Sequence, residues 1–214
     1  MMTVYCVPVG IYCAKLRILL RYKRLEWREL PPPGGYGTDD YKRIVPSGNV
    51  PALDDGGLIL GDSEAIAEYL NEKFPAPPML PDDLAGRARV RELSRFNDTR
   101  LEPEVRALFV QTDPATRDPA VVGARAGAIS ARLSQLAHLL EWFGETDALT
   151  LGDCGFPATF EWIDCFDPIL DLGIDWPDAV RAYRERIGRI DAVSGELSSY
   201  RPVIDDWIAR KTAS

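Results

Sequence analysis

Val50 and Pro51 head a short apolar run that is typical of a β-strand, and this dipeptide offers a place to bind an extended peptide. Proline has no N–H to donate to a strand ladder, so it belongs at a strand start or at a sheet edge. Only an X-Pro bond adopts the cis form at low cost, and a cis bond here would turn the backbone N–H and C=O of Val50 outward. A peptide can pair with such an edge in the way an added strand does.

Asp62 and Ser63 open a second chemically useful segment, the start of a predicted helix. Either side chain can cap this helix, Glu64 adds negative charge to its first turn, and Ile66 and Leu70 fall on one face. A carboxylate, a hydroxyl and free backbone amides can together hold the amine and the carboxylate of an amino-acid head group. The two segments therefore predict a site that holds a small peptide at both ends.

The elements that must position these segments follow the order β-α-β-α-β-β-α, which implies a small mixed sheet with a parallel crossover, as in the thioredoxin fold. Predicted strands cover residues 3–7, 25–30, a run from 51, and 58–60, and predicted helices cover 12–22, 39–44 and a run from 63. Residues 54–57 are predicted as the hairpin turn between the last two strands, because Asp and Gly tolerate positive φ. Four prolines between residues 74 and 81 mark the best domain boundary. We predict a thioredoxin-like domain over residues 1–76, a linker over 77–83 and an all-helical domain over 84–214.

The second domain is predicted as a bundle of about five helices. Its first helix covers residues 84–111 with a break near Pro103, and the second covers 119–143. Thr150 and Asp153 have the spacing of a capping box ahead of an apolar helix. Two further helices are predicted over residues 176–190 and 202–211.

Composition excludes several classes of function. The chain has 214 residues, a formal net charge of −8 and a pI near 4.8. Because phosphate binding needs clustered Lys and Arg, we expect neither a nucleic-acid nor an anionic-membrane partner. No apolar run approaches the ~20 residues of a membrane span and no leader pattern is seen, so we expect a cytoplasmic protein. Four cysteines without CxxC spacing predict neither a disulfide framework nor a metal site.

Residues 50–53 and 62–66, at this separation, resemble the two glutathione-binding signatures of the cytosolic glutathione transferase family. The resemblance extends in weaker form over nearly the whole chain. It implies glutathione as co-substrate and a two-fold homodimer. It also implies roles for individual residues: Val50 pairs with the cysteinyl backbone, Pro51 is the cis proline, Asp62 and Ser63 hold the γ-glutamyl group, and Asn49 lies near the glycyl carboxylate.

A glutathione-dependent enzyme must hold the cysteinyl sulfur as a thiolate. Lowering a thiol pKa from ~8.5 to ~7 requires about 2 kcal/mol, whereas a helix N-terminus supplies about 0.3–1 kcal/mol, so a further donor is needed. We predict that Tyr12, in the first turn of the first helix, is this donor.

Other donors remain open. Without gaps, the positions of the family's tyrosine and of its serine or cysteine fall on Cys6 and Gly10, neither of which is the expected residue. Tyr5 fills the tyrosine position on a slipped alignment, Cys13 could form a mixed disulfide with glutathione, and the helix amides could do much of the work. Core packing is an equally open role for Tyr12 and is favoured for Tyr5, Cys6 and Cys13.

The first functional hypothesis is an enzyme that adds the glutathione thiolate to a small electrophile bound between the domains. Residues 79–83 and 87–91 look like those of zeta-type members, which isomerise maleyl-keto acids, and this is the first alternative. Arginines on the helix at 84–111 could meet a carboxylate-bearing substrate, although a solvated, salt-bridged face is the simpler interpretation. The second alternative is a non-catalytic binding or scaffolding module that keeps the fold.

Overall fold

The computed structural model describes residues 1–143 and 148–212. Its strands are β1 (Met2–Tyr5), β2 (Trp27–Leu30), β3 (Ala52–Asp55) and β4 (Leu58–Leu60). They form a four-stranded sheet in the order β2-β1-β3-β4, in which β1 and β2 are parallel and the other two pairs are antiparallel. The predicted mixed sheet with a parallel crossover is confirmed.

The helices of the sheet domain are α1 (Ile11–Tyr22), α2 (Asp39–Lys42) and α3 (Ser63–Lys73). The helical domain contains α4 (Leu84–Phe96), a π-helical segment (Asn97–Leu101), α5 (Glu102–Arg106), a 3₁₀ turn (Phe109–Gln111), α6 (Pro119–Leu140), α7 (Phe156–Leu170), α8 (Asp178–Gly188) and α9 (Asp191–Thr212). The all-helical class of this second part is confirmed, and the exact domain limits stay a prediction.

The hairpin between β3 and β4 turns on two glycines. Gly56 and Gly57 have φ values of 65° and 98°, which suit a two-residue turn with both central residues in the left-handed region. Asp54 and Asp55, which the sequence assigned to the turn, belong to β3 instead. The Asp54 carboxylate still supports the turn, because it accepts a hydrogen bond of 2.9 Å from the Gly57 N–H.

The predicted break near Pro103 is a change of helix type. The π-helical segment ends at Leu101, and Pro103 then lies in the first turn of α5, where its missing N–H costs least. This arrangement moves the backbone without ending the helical path. As a result Asp98 and Glu102 both contact the first turn of α1.

The last helix differs from its prediction. The sequence placed its start at Pro202, but α9 begins at Asp191 and Pro202 lies inside it. Tyr200 and Ile204 are both buried, so the helix packs against the core on each side of the proline. Burial of this face outweighs the local cost of the missing hydrogen bond.

The contact predicted between Thr150 and Asp153 forms, but in the turn before α7 and only as one half of a capping box, because the N-cap of α7 is Gly155 and the Asp153 N–H binds the Thr150 carbonyl instead of its hydroxyl. The Thr150 N–H donates to the Asp153 carboxylate at 2.7 Å, and Tyr183 Oη donates to the other carboxylate oxygen at 2.8 Å. The two domains also bind each other through polar contacts. Arg17 of α1 donates to Glu196 of α9 at 2.6 Å. None of the described helices is long and apolar enough to cross a membrane.

Candidate functional site

A cleft of about 580 Å³ lies where the sheet domain meets the helical domain. Its walls are the loop after β1, the first turn of α1, the segment before β3, the start of α3 and the helical path from α4 to the 3₁₀ turn. All the residues that the sequence nominated for the site line this cleft: Tyr12, Asn49, Val50, Pro51, Asp62 and Ser63. Their common location does not by itself assign them a ligand.

The segment before β3 offers backbone and amide groups to the cleft. The Val50–Pro51 peptide bond is cis, and the Val50 backbone has no hydrogen bond to any part of the chain that the structure describes. Asn49 is fixed by two tyrosines, because Tyr36 Oη donates to its side-chain oxygen at 3.2 Å and Tyr41 Oη donates to its carbonyl at 2.9 Å. The side-chain NH₂ of Asn49 is left as a donor.

The start of α3 supplies a hydroxyl and a backbone amide, both from Ser63. Asp62 is the N-cap, since one carboxylate oxygen accepts from the N–H groups of Glu64 and Ala65 at 3.0 Å each. Ser63 is the first helical residue and is only 9% exposed, yet its hydroxyl has no hydrogen-bond partner among residues 1–143 and 148–212. A buried hydroxyl beside the Ser63 N–H, which has no partner among the described residues, is suited to bind a carboxylate at this helix start.

Tyr12 lines the cleft from the first turn of α1, and its hydroxyl is held by the helical domain. Tyr12 Oη is 3.0 Å from Glu102 Oε2 and 3.0 Å from the Asp98 carbonyl oxygen. Burial raises the pKa of Tyr12 well above its ordinary value, and the charges of Glu102 and Asp98 add to the effect. Tyr12 is therefore a neutral phenol at physiological pH.

Glu102 is itself almost fully buried, with 1% exposure, and burial raises the pKa of its carboxyl group. Arg106, one helical turn later, pairs with both carboxylate oxygens, with Nε 3.3 Å from Oε2 and a terminal nitrogen against Oε1. The same guanidinium lies 5.4 Å from the centre of the Tyr12 ring. Arg106 and Arg95 line the cleft, so the arginine-bearing helix does not present only a solvated face.

A buried ionic cluster behind the cleft was not found by the sequence analysis. Lys15 is 2% exposed, and its ammonium group lies 2.6 Å from a Glu64 carboxylate oxygen and 2.7 Å from Asp98 Oδ2. Ser94 donates to the same Glu64 oxygen at 2.6 Å. One feature of the sequence could have indicated the cluster: Lys15 lies on a mostly apolar predicted helix. A lysine that is fully buried requires oppositely charged partners.

The other donors considered from the sequence lie outside the cleft. Cys6 and Cys13 are buried, with 3% and 0% exposure, and the Cys6 pKa is raised by its hydrogen bond to Cys13 and by burial. Tyr5 packs edge-on against Tyr41 with ring centres 5.8 Å apart. A Cβ at Gly10 would lie 2.7 Å from Cys13 Sγ, so a side chain at this position would require Cys13 to shift.

Known proteins that resemble this chain place it in one family. Residues 4–78 match the family model described as glutathione S-transferase, N-terminal domain. Maleylpyruvate isomerase from a Ralstonia species is 33% identical over 201 residues, which is 87% of this chain and 89% of that protein. The chain belongs to the cytosolic glutathione transferase family.

Other members of the glutathione transferase family match in sequence or in fold. Glutathione S-transferase Z1 from Arabidopsis thaliana is 46% identical over 80 residues, but the match covers only 36% of this chain and 36% of that protein. A holo structure of maleyl pyruvate isomerase, described as a bacterial glutathione transferase of the zeta class, superposes with a TM-score of 0.76 at 27% identity, covering 94% of this chain and 98% of that one. The family and fold predicted from the sequence are confirmed.

Proposed function

We propose that this chain is a glutathione transferase that binds glutathione in the cleft and adds its thiolate to a small electrophile. One observation carries the proposal: the same cleft is lined by the Ser63 hydroxyl and the Val50 backbone, and neither has a hydrogen-bond partner among the residues that the structure describes. The family membership and the cis proline support the same conclusion.

Different parts of the cleft suit different parts of glutathione. The hydroxyl and the backbone N–H of Ser63 receive the γ-glutamyl carboxylate, and the Asp62 carboxylate oxygen that does not cap the helix receives the amine. Val50 pairs its backbone with the cysteinyl residue, as an added strand would. Asn49 donates its side-chain amide to the glycyl carboxylate. These contacts direct the cysteinyl sulfur toward the first turn of α1.

Two groups stabilise the thiolate in this proposal. The first is the N-terminus of α1, which has unpaired N–H groups and a favourable helix dipole worth about 0.3–1 kcal/mol. The second is the Tyr12 hydroxyl, and a hydrogen bond to a charged group contributes about 1.5–3 kcal/mol. Together they reach the roughly 2 kcal/mol needed to bring the thiol pKa from ~8.5 to ~7.

The oligomer and the cellular setting are part of the same proposal. We infer a two-fold homodimer, a cytoplasmic location, a role in detoxification, and no metal ion, nucleic acid or membrane partner. The homodimer and the location rest on the family, and the exclusion of nucleic acid and of anionic membrane rests on the net charge of −8. Light scattering on the purified protein tests the dimer directly, because a monomeric mass would contradict it.

Isomerisation of a maleyl-keto acid is the second candidate. The Ralstonia relative that aligns over 87% of this chain is a maleylpyruvate isomerase, and Arg95 and Arg106 line the cleft where the second substrate would bind. In such a reaction the thiolate adds to the carbon–carbon double bond, rotation follows, and elimination returns the free thiol. Guanidinium groups suit the carboxylates of this substrate.

Calorimetric titration with glutathione, followed by turnover assays, separates these candidates. Binding with turnover of chlorodinitrobenzene supports the transferase, and binding with turnover of maleylpyruvate supports the isomerase. Binding without turnover of either compound or of a peroxide would favour the non-catalytic module. No heat at millimolar glutathione would exclude both enzyme hypotheses.

A further inference from the structure

The Tyr12 hydroxyl has one proton and two acceptors. Glu102 Oε2 and the Asp98 carbonyl oxygen each lie 3.0 Å from Tyr12 Oη. A carboxylate is a stronger acceptor than a neutral carbonyl, so the proton points to Glu102 when Glu102 is ionised. In that state the hydroxyl has no proton left to donate to a sulfur in the cleft, and its free lone pairs can only accept one.

Glu102 lies behind two residues that line the cleft, Tyr12 and Arg106, and of these only Tyr12 carries a neutral hydroxyl that can pass a proton to it. Its side chain does not line the cleft, whereas Tyr12 does. The titratable and charged groups that face Glu102 are Tyr12 from α1, Asp98 from the π-helical segment and Arg106 from α5. The contact between Tyr12 and Glu102 therefore joins a cleft-lining tyrosine to a buried proton acceptor.

We propose that Glu102 is a positioning residue that receives, through Tyr12, the proton of a thiol bound in the cleft. This inference rests on the proposed function, because the thiol is that of glutathione. The S–H bond breaks as Tyr12 Oη takes that proton, and the original Tyr12 proton moves to Glu102 Oε2. The net change is a thiol and a carboxylate becoming a thiolate and a carboxylic acid, with no proton lost to solvent.

The transfer leaves the hydroxyl in the orientation that the thiolate needs. The proton that Tyr12 has just received points back at the sulfur, and the new Glu102 O–H donates to Tyr12 Oη. One relay thus explains both how the thiol loses its proton and how a hydroxyl already bound to a carboxylate becomes a donor.

The proton affinities of the two ends support such a transfer. An ordinary glutamate has a pKa of ~4.3 and an ordinary thiol ~8.5, so the glutamate must be a stronger base than usual and the thiol a stronger acid. Burial raises the pKa of Glu102, and the N-terminus of α1 lowers that of a nearby thiol. Arg106 opposes the first effect, because its positive charge favours the ionised form of Glu102.

The number of protons released as the thiolate forms tests the relay. We would titrate the full chain with glutathione in buffers of different ionisation enthalpy and follow the ultraviolet absorbance of the thiolate in the same samples. At neutral pH we expect the wild type to form thiolate with about zero protons released. The Glu102→Gln variant lacks the carboxylate that would take up the proton. Each thiolate that it forms should therefore release about one proton to the buffer.

Two further variants make the result decisive. Tyr12→Phe breaks the relay but leaves Glu102 paired with Arg106, so it should also release about one proton per thiolate, even if Glu102→Gln does not fold. Glu104→Gln, on the same helix but paired with Arg125, should behave as the wild type. Release of about one proton by the wild type, release of about zero by Glu102→Gln, or glutathione binding without any thiolate would each overturn the relay. Absence of glutathione binding would instead overturn the proposed function.

Discussion

The N-terminal ends of α3 and α1 both line the cleft, and they are built in different ways. At α3 the cap is local, because Asp62 binds the N–H groups of Glu64 and Ala65, and the Ser63 hydroxyl is left free. At α1 no side chain caps the helix, and the Tyr12 hydroxyl is held by residues 86 and 90 positions away. The start of α3 can bind a ligand without rearrangement. At the start of α1, the Tyr12 hydroxyl must give up its hydrogen bond to Glu102 or to the Asp98 carbonyl before it can donate to a ligand.

This difference explains why a family motif can be complete at one end and absent at the other. The binding groups of α3 depend on a few consecutive residues, so they persist whenever that short motif does. At α1 the orientation of the Tyr12 hydroxyl depends on Asp98 and Glu102 of the helical domain. The motif around α1 alone therefore does not determine which residue donates to the thiolate. The buried Lys15 connects the two ends, since it binds Glu64 of α3 and Asp98 of the π-helical segment.

The largest expected effect is that of Lys15→Met, which removes this connection. Two carboxylates would be left without their buried partner, so we expect the free energy of unfolding to fall by about 3–5 kcal/mol, measured by urea denaturation. Arg43→Met is the matched control, because Arg43 pairs with Asp40 on the surface, with side chains 69% and 65% exposed. A Lys15→Met protein as stable as the wild type would show that the cluster is not needed to hold the two ends together.

Tyr12→Phe tests the end that depends on the helical domain. The ring is kept and only the hydroxyl is lost, so we expect turnover to fall about 10- to 100-fold while glutathione affinity changes little. Steady-state kinetics and calorimetry measure the two quantities separately. Tyr5→Phe should have no effect on turnover, because Tyr5 packs against Tyr41 outside the cleft. Unchanged turnover in Tyr12→Phe would leave the α1 amides as the source of thiolate stabilisation.

Ser63→Ala tests the end that is locally built. The variant removes a free hydroxyl that accepts no bond from the protein, so stability should hold while glutathione affinity falls about tenfold. Ser134→Ala, on the exposed face of α6, is the control and should bind glutathione as the wild type does. If Ser63→Ala lost stability and kept its affinity, the hydroxyl would be a packing group and the comparison between the two ends would fail.

The contrast between local and long-range contacts also separates the features that the sequence predicted from those that it did not. The hairpin at Gly56 and Gly57 and the cap at Asp62 were predicted because all their partners lie within a few residues. The contact of Tyr12 with Glu102 and that of Lys15 with Asp98 were missed, because each joins residues more than 80 positions apart. No local pattern fixes which carboxylate of a helix a distant side chain will meet.

The helical domain gives a second case. Pro103 predicted a break, and a break is there, but only the packing of the two domains determines that it is a π-helical segment carrying Asp98. Pro202 predicted a helix start, and this was wrong, because the buried faces on both sides of it hold α9 together. Local propensity therefore predicted the position of the break at Pro103 correctly. It failed at Pro202, where burial of the helix face outweighs the helix-breaking tendency of proline.

The smallest expected effects are those of substitutions at Asp62, which both caps α3 and lines the cleft. Two substitutions can separate these two roles. Asp62→Ala removes the cap and should lower the free energy of unfolding by about 1 kcal/mol, whereas Asp62→Asn keeps a capping oxygen and should be nearly as stable as the wild type. Both variants lose the negative charge offered to the γ-glutamyl amine, so both should bind glutathione a few-fold more weakly in calorimetry. If Asp62→Asn bound glutathione with wild-type affinity, the role of Asp62 would be confined to the helix, and recognition at this end would rest on the hydroxyl and the backbone N–H of Ser63 alone.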